Sequence, residues 1–179
     1  MRTTIKKVFW AWEFEKEEVW LNEMAAKGLC LVSVGFCRYE FEDCQPGEYG
    51  IRIELLEHKP NHPESVKYLE FLEGTGAEQV GSWMKWVYFR KKKADGAFEL
   101  FSDNPTRIKH LSRVMHLLLV LGLLNLLVGA YNLVLCFAWD SALSAIGTVN
   151  IILGIFAMVG YAKLRKKRSR LKEEQQLFE

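Results

Sequence analysis

The sequence of 179 residues lacks several patterns by which enzymes are usually recognised. It has no glycine-rich phosphate loop, no nucleophile elbow and no serine, histidine and acid spaced like a catalytic triad. His58 and His62 have the four-residue spacing that binds zinc on a helix, but Pro60 and Pro63 exclude a regular helix there. We therefore expect no catalytic residue, no metal site and no cofactor.

An isolated pair of carboxyl groups in an apolar setting is also absent from the sequence pattern. The first turn of a predicted helix holds three glutamates, which complement the positive end of the helix dipole: Glu15, Glu17 and Glu18. Other acids alternate with arginines along predicted strands as cross-strand partners: Glu40, Glu42 and Glu54 with Arg38 and Arg52. These structural roles argue against a carboxyl group with a raised pKa that could serve in acid catalysis.

Cysteine pairs with metal-site or redox spacing are missing. Cys30, Cys37 and Cys44 follow one another at intervals of seven residues, and Cys136 lies in an apolar run. Because seven is odd, successive members alternate between the faces of a regular strand. We expect free thiols, buried or half-buried, in a reducing compartment.

Charged residues are absent from two long stretches, residues 117–137 and 142–161. Each is about 20 residues long, enough for a helix to cross a hydrocarbon layer of roughly 30 Å. The connection, residues 138–141, is too short to return across a bilayer. The two stretches are therefore predicted to form an antiparallel transmembrane hairpin.

Small and amide residues recur along each predicted span at helical spacing: Gly122, Asn125, Gly129 and Asn132, then Gly147, Asn150, Gly154 and Ala157. Folding about the loop predicts four opposed pairs: Asn132 with Gly147, Gly129 with Asn150, Asn125 with Gly154, and Gly122 with Ala157. Small residues let helices approach closely, and buried amides need hydrogen-bond partners. Helix packing is the favoured interpretation; the alternative is a polar path for an ion or solute.

The net charge of +2 conceals an asymmetry between the two parts of the chain. Residues 1–106 hold 14 Lys and Arg against 18 Asp and Glu, and residues 107–179 hold 10 against 4. By the positive-inside rule, both termini are predicted to be cytoplasmic in a multi-pass protein of the cell membrane. Seven cations follow the second span and are expected to contact anionic lipid headgroups: Lys163, Arg165, Lys166, Lys167, Arg168, Arg170 and Lys172.

The remaining N-terminal residues have the periodicities of a small α+β domain. Strands are predicted at residues 5–12, 29–42, 49–57 and 80–92, helices at 15–27 and 63–73, and a short fifth strand at 97–101. The order β-α-β-β-α-β predicts a ferredoxin-like fold, with one four-stranded antiparallel sheet and both helices on one face. The predicted domains are residues 1–105, a juxtamembrane helix at 106–116, the spans with their loop, and a basic tail at 162–179.

Aromatic residues are concentrated on the predicted strands. Five are candidates for a common ligand or partner face, with Phe36 lying between the others: Trp10, Trp12, Phe36, Trp86 and Tyr88. Most could instead be core, since a small domain needs large side chains to bury enough area. Nucleic-acid binding is not expected, because residues 1–106 are net acidic and lack the glycine-aromatic signature of RNA-binding strands.

Three segments resemble a known family: residues 12–31 (WEFEKEEVWLNEMAAKGLCL), 86–91 (WVYFRK) and 99–107 (ELFSDNPTR). Together they resemble the bacterial DUF2812 family over residues 5–115. The resemblance implies a small N-terminal domain followed by membrane spans, in proteins mostly of Gram-positive bacteria and often encoded beside PadR-like repressors. It implies a regulated membrane protein and identifies no catalytic residue.

The sequence therefore favours a membrane-anchored regulatory, sensory or scaffold protein without enzymatic activity. Its expected partners are a second copy or another membrane protein. One alternative is a small enzyme or a domain that binds a small apolar ligand on the open aromatic sheet face. Another is an accessory subunit of a transporter.

Overall fold

The computed structural model describes residues 2–100, 104–138 and 142–178. The chain divides into two units, Met1–Ser102 and Asp103–Glu179. The first is α+β, and the second is a pair of long helices. Each unit has its own packing.

The described part of the first unit contains six strands and two α-helices. In chain order they are β1 (Arg2–Lys6), α1 (Phe14–Ala26), β2 (Leu29–Gly35), β3 (Arg38–Asp43), β4 (Tyr49–Leu55), α2 (Pro63–Gly74), β5 (Glu78–Trp83) and β6 (Trp86–Lys92). The strands form two antiparallel sheets, with orders β1-β3-β2 and β4-β6-β5. The predicted α+β class is confirmed. The prediction of the single four-stranded sheet of a ferredoxin-like fold is wrong.

Two tight turns explain this difference. The predicted strand at 29–42 is a hairpin that turns at Phe36 and Cys37, and the predicted strand at 80–92 turns at Met84 and Lys85. Each turn contains one residue with a positive φ: Cys37 at 53° in the first and Met84 at 57° in the second. Apolar alternation continues on both sides of each turn, so the period alone did not reveal the break. As a result β4 pairs with β6 and not with the preceding strand β3.

The two hairpins are copies of one structural motif, 48 residues apart. Gly28 and Gly76 both end a helix with φ of 85°, a left-handed conformation that favours glycine. Val32 and Val80 are each skipped in the strand register, as the extra residue of a β-bulge. The first unit is therefore two β-α-β-β repeats, and each repeat forms one three-stranded sheet.

Helix α1 is attached to the free edge of β4 by side chains. The Asn22 amide accepts a hydrogen bond from Ile51 N and donates one to Ile51 O, both at 2.9 Å. One carboxylate oxygen of Glu18 accepts from Ile53 N at 3.1 Å. An edge strand has unpaired backbone groups, and these bonds satisfy three of them. The position of α1 is thus determined by β4.

Two charged residues of β4 differ from the predicted cross-strand pattern. Arg52 pairs with Glu18 of α1 at 3.2 Å. Glu54 is only 2% exposed, and its carboxylate accepts a hydrogen bond from the Tyr68 hydroxyl at 2.8 Å. The prediction that Glu54 is a cross-strand partner of an arginine is therefore wrong, because α2 covers this side chain.

The segment after β6 packs onto the core of the second repeat. Residues 97–100 form no strand, contrary to expectation, and residue 101 lies outside the described residues. Phe98 and Leu100 instead pack against the apolar cluster that joins α2 to β6, which includes Leu72 and Phe89. Burial of these side chains explains the apolar pattern that had indicated a strand.

A disulfide joins Cys30 to Cys44, with Cα atoms 5.9 Å apart. The prediction of free thiols is therefore wrong for these two residues, while Cys37 and Cys136 are free. The hairpin turn reverses the chain between Cys30 and Cys44, which brings the end of β3 back beside the start of β2. Spacing along a single strand could not indicate that proximity.

The second unit consists of α3 (Asn104–Ala138) and α4 (Ala142–Phe178), which pack against each other along their length. Residues 139–141 of the predicted loop lie outside the described residues. A Cβ added at Gly129 would lie 2.9 Å from Gly147 O, and one at Gly147 would lie 3.0 Å from Gly129 O. A Cβ at Gly122, earlier on α3, would lie 3.1 Å from Met158, later on α4, so the helices are antiparallel, and their backbones approach closely at Gly129 and Gly147.

Candidate functional site: an aromatic cavity with a buried carboxylate

A cavity of about 100 Å³ opens beside the start of α1, where the tips of the two hairpins meet. Four segments contribute to it: the residues before α1, its first turns and both hairpins. The aromatic residues that line it are Phe9, Trp10, Phe14, Phe36, Tyr39, Trp83, Trp86 and Tyr88. Ala11, Glu17, Gly35 and Cys37 complete the lining.

The structure brings four of the five candidate aromatic residues to this cavity: Trp10, Phe36, Trp86 and Tyr88. The fifth, Trp12, stacks on Trp10 with ring centres 5.7 Å apart and ring planes 9° apart. The aromatic side chains enclose a concave space and do not form the flat open face that was expected. This difference follows from the sheet arrangement, because the turns at 36–37 and 84–85 bring the two hairpin tips together.

Glu17 is the charged residue among those that line the cavity. It is 7% exposed, and its Oε1 accepts hydrogen bonds from the Tyr39 and Tyr88 hydroxyls, both at 2.7 Å. Tyr39 comes from β3 of the first repeat and Tyr88 from β6 of the second. One carboxylate oxygen therefore connects α1 to both sheets.

Burial raises the pKa of the Glu17 carboxyl above its ordinary value, and the two tyrosine hydrogen bonds oppose this effect only in part. Burial and the neighbouring Glu17 charge also raise the pKa values of both tyrosines. Their hydroxyls therefore stay protonated at neutral pH and act as donors. The expectation that no carboxyl group has a raised pKa is wrong at Glu17.

The neighbouring glutamate on α1 provides a contrast. Glu18 has a cation and a backbone N–H as partners, Arg52 and Ile53. Glu17 has neither: within the described ranges no Lys, Arg or His pairs with it, and no donor reaches its Oε2. The cavity thus contains a carboxylate that burial partly desolvates, with one oxygen available to an incoming group.

The rim of the cavity exposes large aromatic surfaces. Phe36 is 73% exposed, Trp10 is 45% exposed and Trp83 is 37% exposed. The rings of Phe36 and Trp83 are 5.3 Å apart, so the two hairpin tips contact each other through them. Exposed apolar side chains grouped around a concave site are typical of a binding surface.

Glu17, the central polar group, was assigned only a helix-dipole role from the sequence. The buried residues of α1 are Phe14, Glu17, Leu21 and Ala25, at steps of three and four. Extending the spacing of the apolar residues Leu21 and Ala25 backwards along the sequence therefore reaches Glu17. The burial of Glu17 could therefore have been predicted from its position in line with the buried apolar residues of the helix.

A second group of polar side chains lies where α2 begins. One candidate ligand atom from each of His58, His62 and Glu64 falls within 4.8 Å of the others. His58 Nε2 lies 3.2 Å from Glu64 Oε2, and His62 Nδ1 accepts a hydrogen bond from Glu64 N at 3.4 Å. These contacts give the group a role at the start of the helix, and His62 is its N-cap residue.

The predicted packing residues of the spans lie on α3 and α4. Gly122 lies beside its predicted partner Ala157, because a Cβ added at Gly122 would be 3.4 Å from the Ala157 Cβ. The neighbours of Gly129 are instead Gly147 and Ile151, and those of Gly154 belong to Leu126. The Asn125 and Asn150 amides donate to carbonyls of their own helices, four residues back.

Both long helices have the length and composition to cross a membrane, with mean hydropathy of 2.2 and 1.9 over their most apolar windows. About 17% of each window is buried. These values are compatible with a membrane location. The seven cations of the predicted basic tail lie on α4, which continues as a helix to Phe178.

A family model for DUF2812, described as a protein family of unknown function, matches residues 13–123. The match extends from the start of α1, through all the strands that follow, into α3. No curated protein and no solved structure matches the chain. Because the matched segment covers more than half of the sequence, the chain belongs to the DUF2812 family.

Proposed function

We propose that this protein is a membrane-anchored ligand-binding protein, with a sensory or regulatory role, whose first unit takes up a small organic molecule in the aromatic cavity. The observation that carries the proposal is the buried Glu17 among aromatic rings. The two tyrosine hydrogen bonds offset part of the desolvation cost of this carboxylate, and the charge, which has no cationic partner among the described residues, retains the rest. A ligand that pairs with its second oxygen would offset that remainder.

The shape of the cavity agrees with this function. Ligand sites are concave, mostly apolar and carry a few placed polar groups, as here with one carboxylate and two hydroxyls. The rim residues Trp10, Phe36 and Trp83 are exposed, so a molecule can enter without unfolding of either repeat. The free Cys37 thiol also lines the cavity, but in the described part of the chain no side-chain hydrogen bond joins it to a base, which favours binding over catalysis.

The membrane part of the proposal rests on α3 and α4, which would form a two-span anchor. Basic residues at 107–113 and 163–172 favour cytoplasmic termini, with the tail on anionic lipid. The Cys30–Cys44 disulfide counts against that orientation, because disulfides are rare in the cytosol. Labelling of free Cys37 by a membrane-impermeant maleimide in intact cells would contradict cytoplasmic termini.

The ligand function is tested on the full chain in lipid nanodiscs, with tryptophan fluorescence as the readout. Three bicyclic probes of similar size are used: 1-methylquinolinium, 1-methylnaphthalene and 1-naphthoate. Because Trp10, Trp83 and Trp86 line the cavity, at least one probe should change the fluorescence saturably. Absence of a saturable change with all three probes would contradict the proposal.

A pair of matched variants locates the binding. Phe36 lines the cavity and Phe71 does not, and the two residues are 73% and 66% exposed. Phe36→Ala should remove a ring from the rim and weaken binding about tenfold or more, as expected for loss of a ring-sized contact area. Phe71→Ala should bind like the unmodified protein. Equal binding by both variants would place the ligand elsewhere.

A further inference from the structure

We propose that the ligand of this cavity is an aromatic organic cation, with Glu17 as its counter-ion. The inference rests on the proposed function and names the chemical class of the ligand. Three features determine the class: the charge inside the cavity, the nature of its walls and its volume.

The charge inside the cavity is negative and incompletely compensated. Tyr39 and Tyr88 donate to Oε1 of Glu17, and no donor in the described part of the chain reaches Oε2. A cationic ligand would restore the interaction that the carboxylate lost with water on burial. A neutral ligand would leave that loss uncompensated, and an anion would add like-charge repulsion.

The walls of the cavity suit a flat cation. The faces of aromatic rings carry partial negative charge, so they attract a cation within about 6 Å of the ring centre, most strongly when water is excluded. Phe14 and Trp86 lie in contact, with ring centres 5.9 Å apart, on the inner wall near Glu17. The protein already uses this interaction nearby, because Lys7 Nζ lies 4.5 Å from the centre of the Trp20 ring.

The volume limits the part of the ligand that is enclosed. An apolar cavity of about 150 Å³ encloses one benzene molecule in another protein, and this open cavity, at about 100 Å³, is smaller. It can therefore enclose only part of one ring with its positive charge beside Glu17, and the rest of the ligand would project between Phe36, Trp10 and Trp83. Among the probes, 1-methylquinolinium has this form.

The test compares that cation with 1-methylnaphthalene, which has nearly the same shape but no charge. Equilibrium dialysis against the full chain in nanodiscs, corrected with empty nanodiscs, measures both affinities. The cation should bind about 10–100-fold more tightly, in keeping with a desolvated charge pair and ring contacts. Equal affinities would overturn the cation inference and leave the ligand function intact. Binding of neither compound would overturn both.

Two variants of α1 assign the preference to one carboxylate. Glu17→Gln keeps the size and an acceptor for both tyrosines but removes the charge, so the preference for the cation should disappear. Glu23→Gln removes an exposed charge from the same helix and should leave the preference unchanged. A cation preference that survives Glu17→Gln would overturn the inference.

The dependence of affinity on pH gives a second measurement that needs no variant. Burial raises the pKa of Glu17, so the carboxyl gains charge as pH rises through that value. Affinity for 1-methylquinolinium should therefore increase with pH across this range, while affinity for 1-methylnaphthalene stays constant. The other titratable groups at the site are Tyr39, Tyr88 and the Cys37 thiol, and both tyrosines titrate well above neutrality. A cation affinity that does not change from acid to neutral pH would contradict the assignment.

Discussion

Asn22 provides the sharpest test of how α1 is held in place. Its amide exchanges two hydrogen bonds with the Ile51 backbone at 2.9 Å, on the edge of β4 that no strand covers. Asn22→Ala removes both bonds while it keeps, and slightly favours, the helix. Because Glu17 is carried by the same helix, the change should weaken ligand binding as well as folding.

The size of the effect follows from the burial of Ile51, which is 0% exposed. Ile51 N would lose its partner, which costs about 1–3 kcal/mol for a buried donor. Ile51 O would keep a hydrogen bond from Arg52 Nη1 at 3.2 Å, so the loss of its bond to Asn22 costs about 1 kcal/mol. The better helix propensity of alanine returns at most about 0.7 kcal/mol. The free energy of unfolding of the first unit should therefore fall by about 1–3 kcal/mol.

Urea unfolding of the full chain in an amphipol measures this value through tryptophan fluorescence. Five of the six tryptophans lie in residues 1–102, so the signal reports mainly on the first unit. Glu23→Ala, an exposed change on the same helix, is the control and should shift stability by less than about 0.5 kcal/mol. An Asn22→Ala variant as stable as this control would refute the reasoning.

Two further predictions concern the disulfide and the helix pair. Alkylation without reductant should modify two of the four cysteines, and replacing Cys30 and Cys44 together by serine should lower stability by about 3 kcal/mol, the value for a loop of this length; alkylation of all four would contradict the bond. Gly129→Leu should lower the thermal stability of the helix pair in detergent, because even a Cβ there would lie 2.8 Å from Ile151. An unchanged melting temperature would contradict this close approach.

The helices were the part of the fold that the sequence predicted well. The apolar spacing and the flanking Pro63 and Gly28 located α1 and α2 to within a residue or two, since each helix has local start and stop signals. Most strands were predicted in the right regions but counted wrongly, and the first was misplaced, since it was predicted at residues 5–12 and β1 is Arg2–Lys6. Their turns are formed by Phe36 with Cys37 and by Met84 with Lys85, which lack the usual asparagine-glycine signature.

The candidate site was predicted only in part, because the sequence did not reveal how the strands are arranged. Aromatic residues such as Trp86 and Phe36 are conspicuous in any sequence, and they were grouped correctly although their strands were not. Tyr39 and Glu17 were missed because their importance depends on contacts between distant segments, 22 residues apart for this pair. Only the tertiary arrangement of the two repeats places a tyrosine from each beside the same oxygen.

The comparison of Glu17 with Glu18 argues most directly that the cavity exists for binding. Both side chains belong to adjacent residues near the start of one helix, so the helix dipole acts on both. Glu18 has the partners of a structural carboxylate, a guanidinium and a backbone N–H. Glu17 has two hydroxyls on one oxygen, and burial raises its pKa. A residue that served only to join α1 to the two sheets would need no charge, because the amide oxygen of a glutamine could accept both tyrosine hydrogen bonds without the cost of burying a carboxylate. The arrangement is explained when the missing partner of Glu17 is a cation that comes from outside the chain.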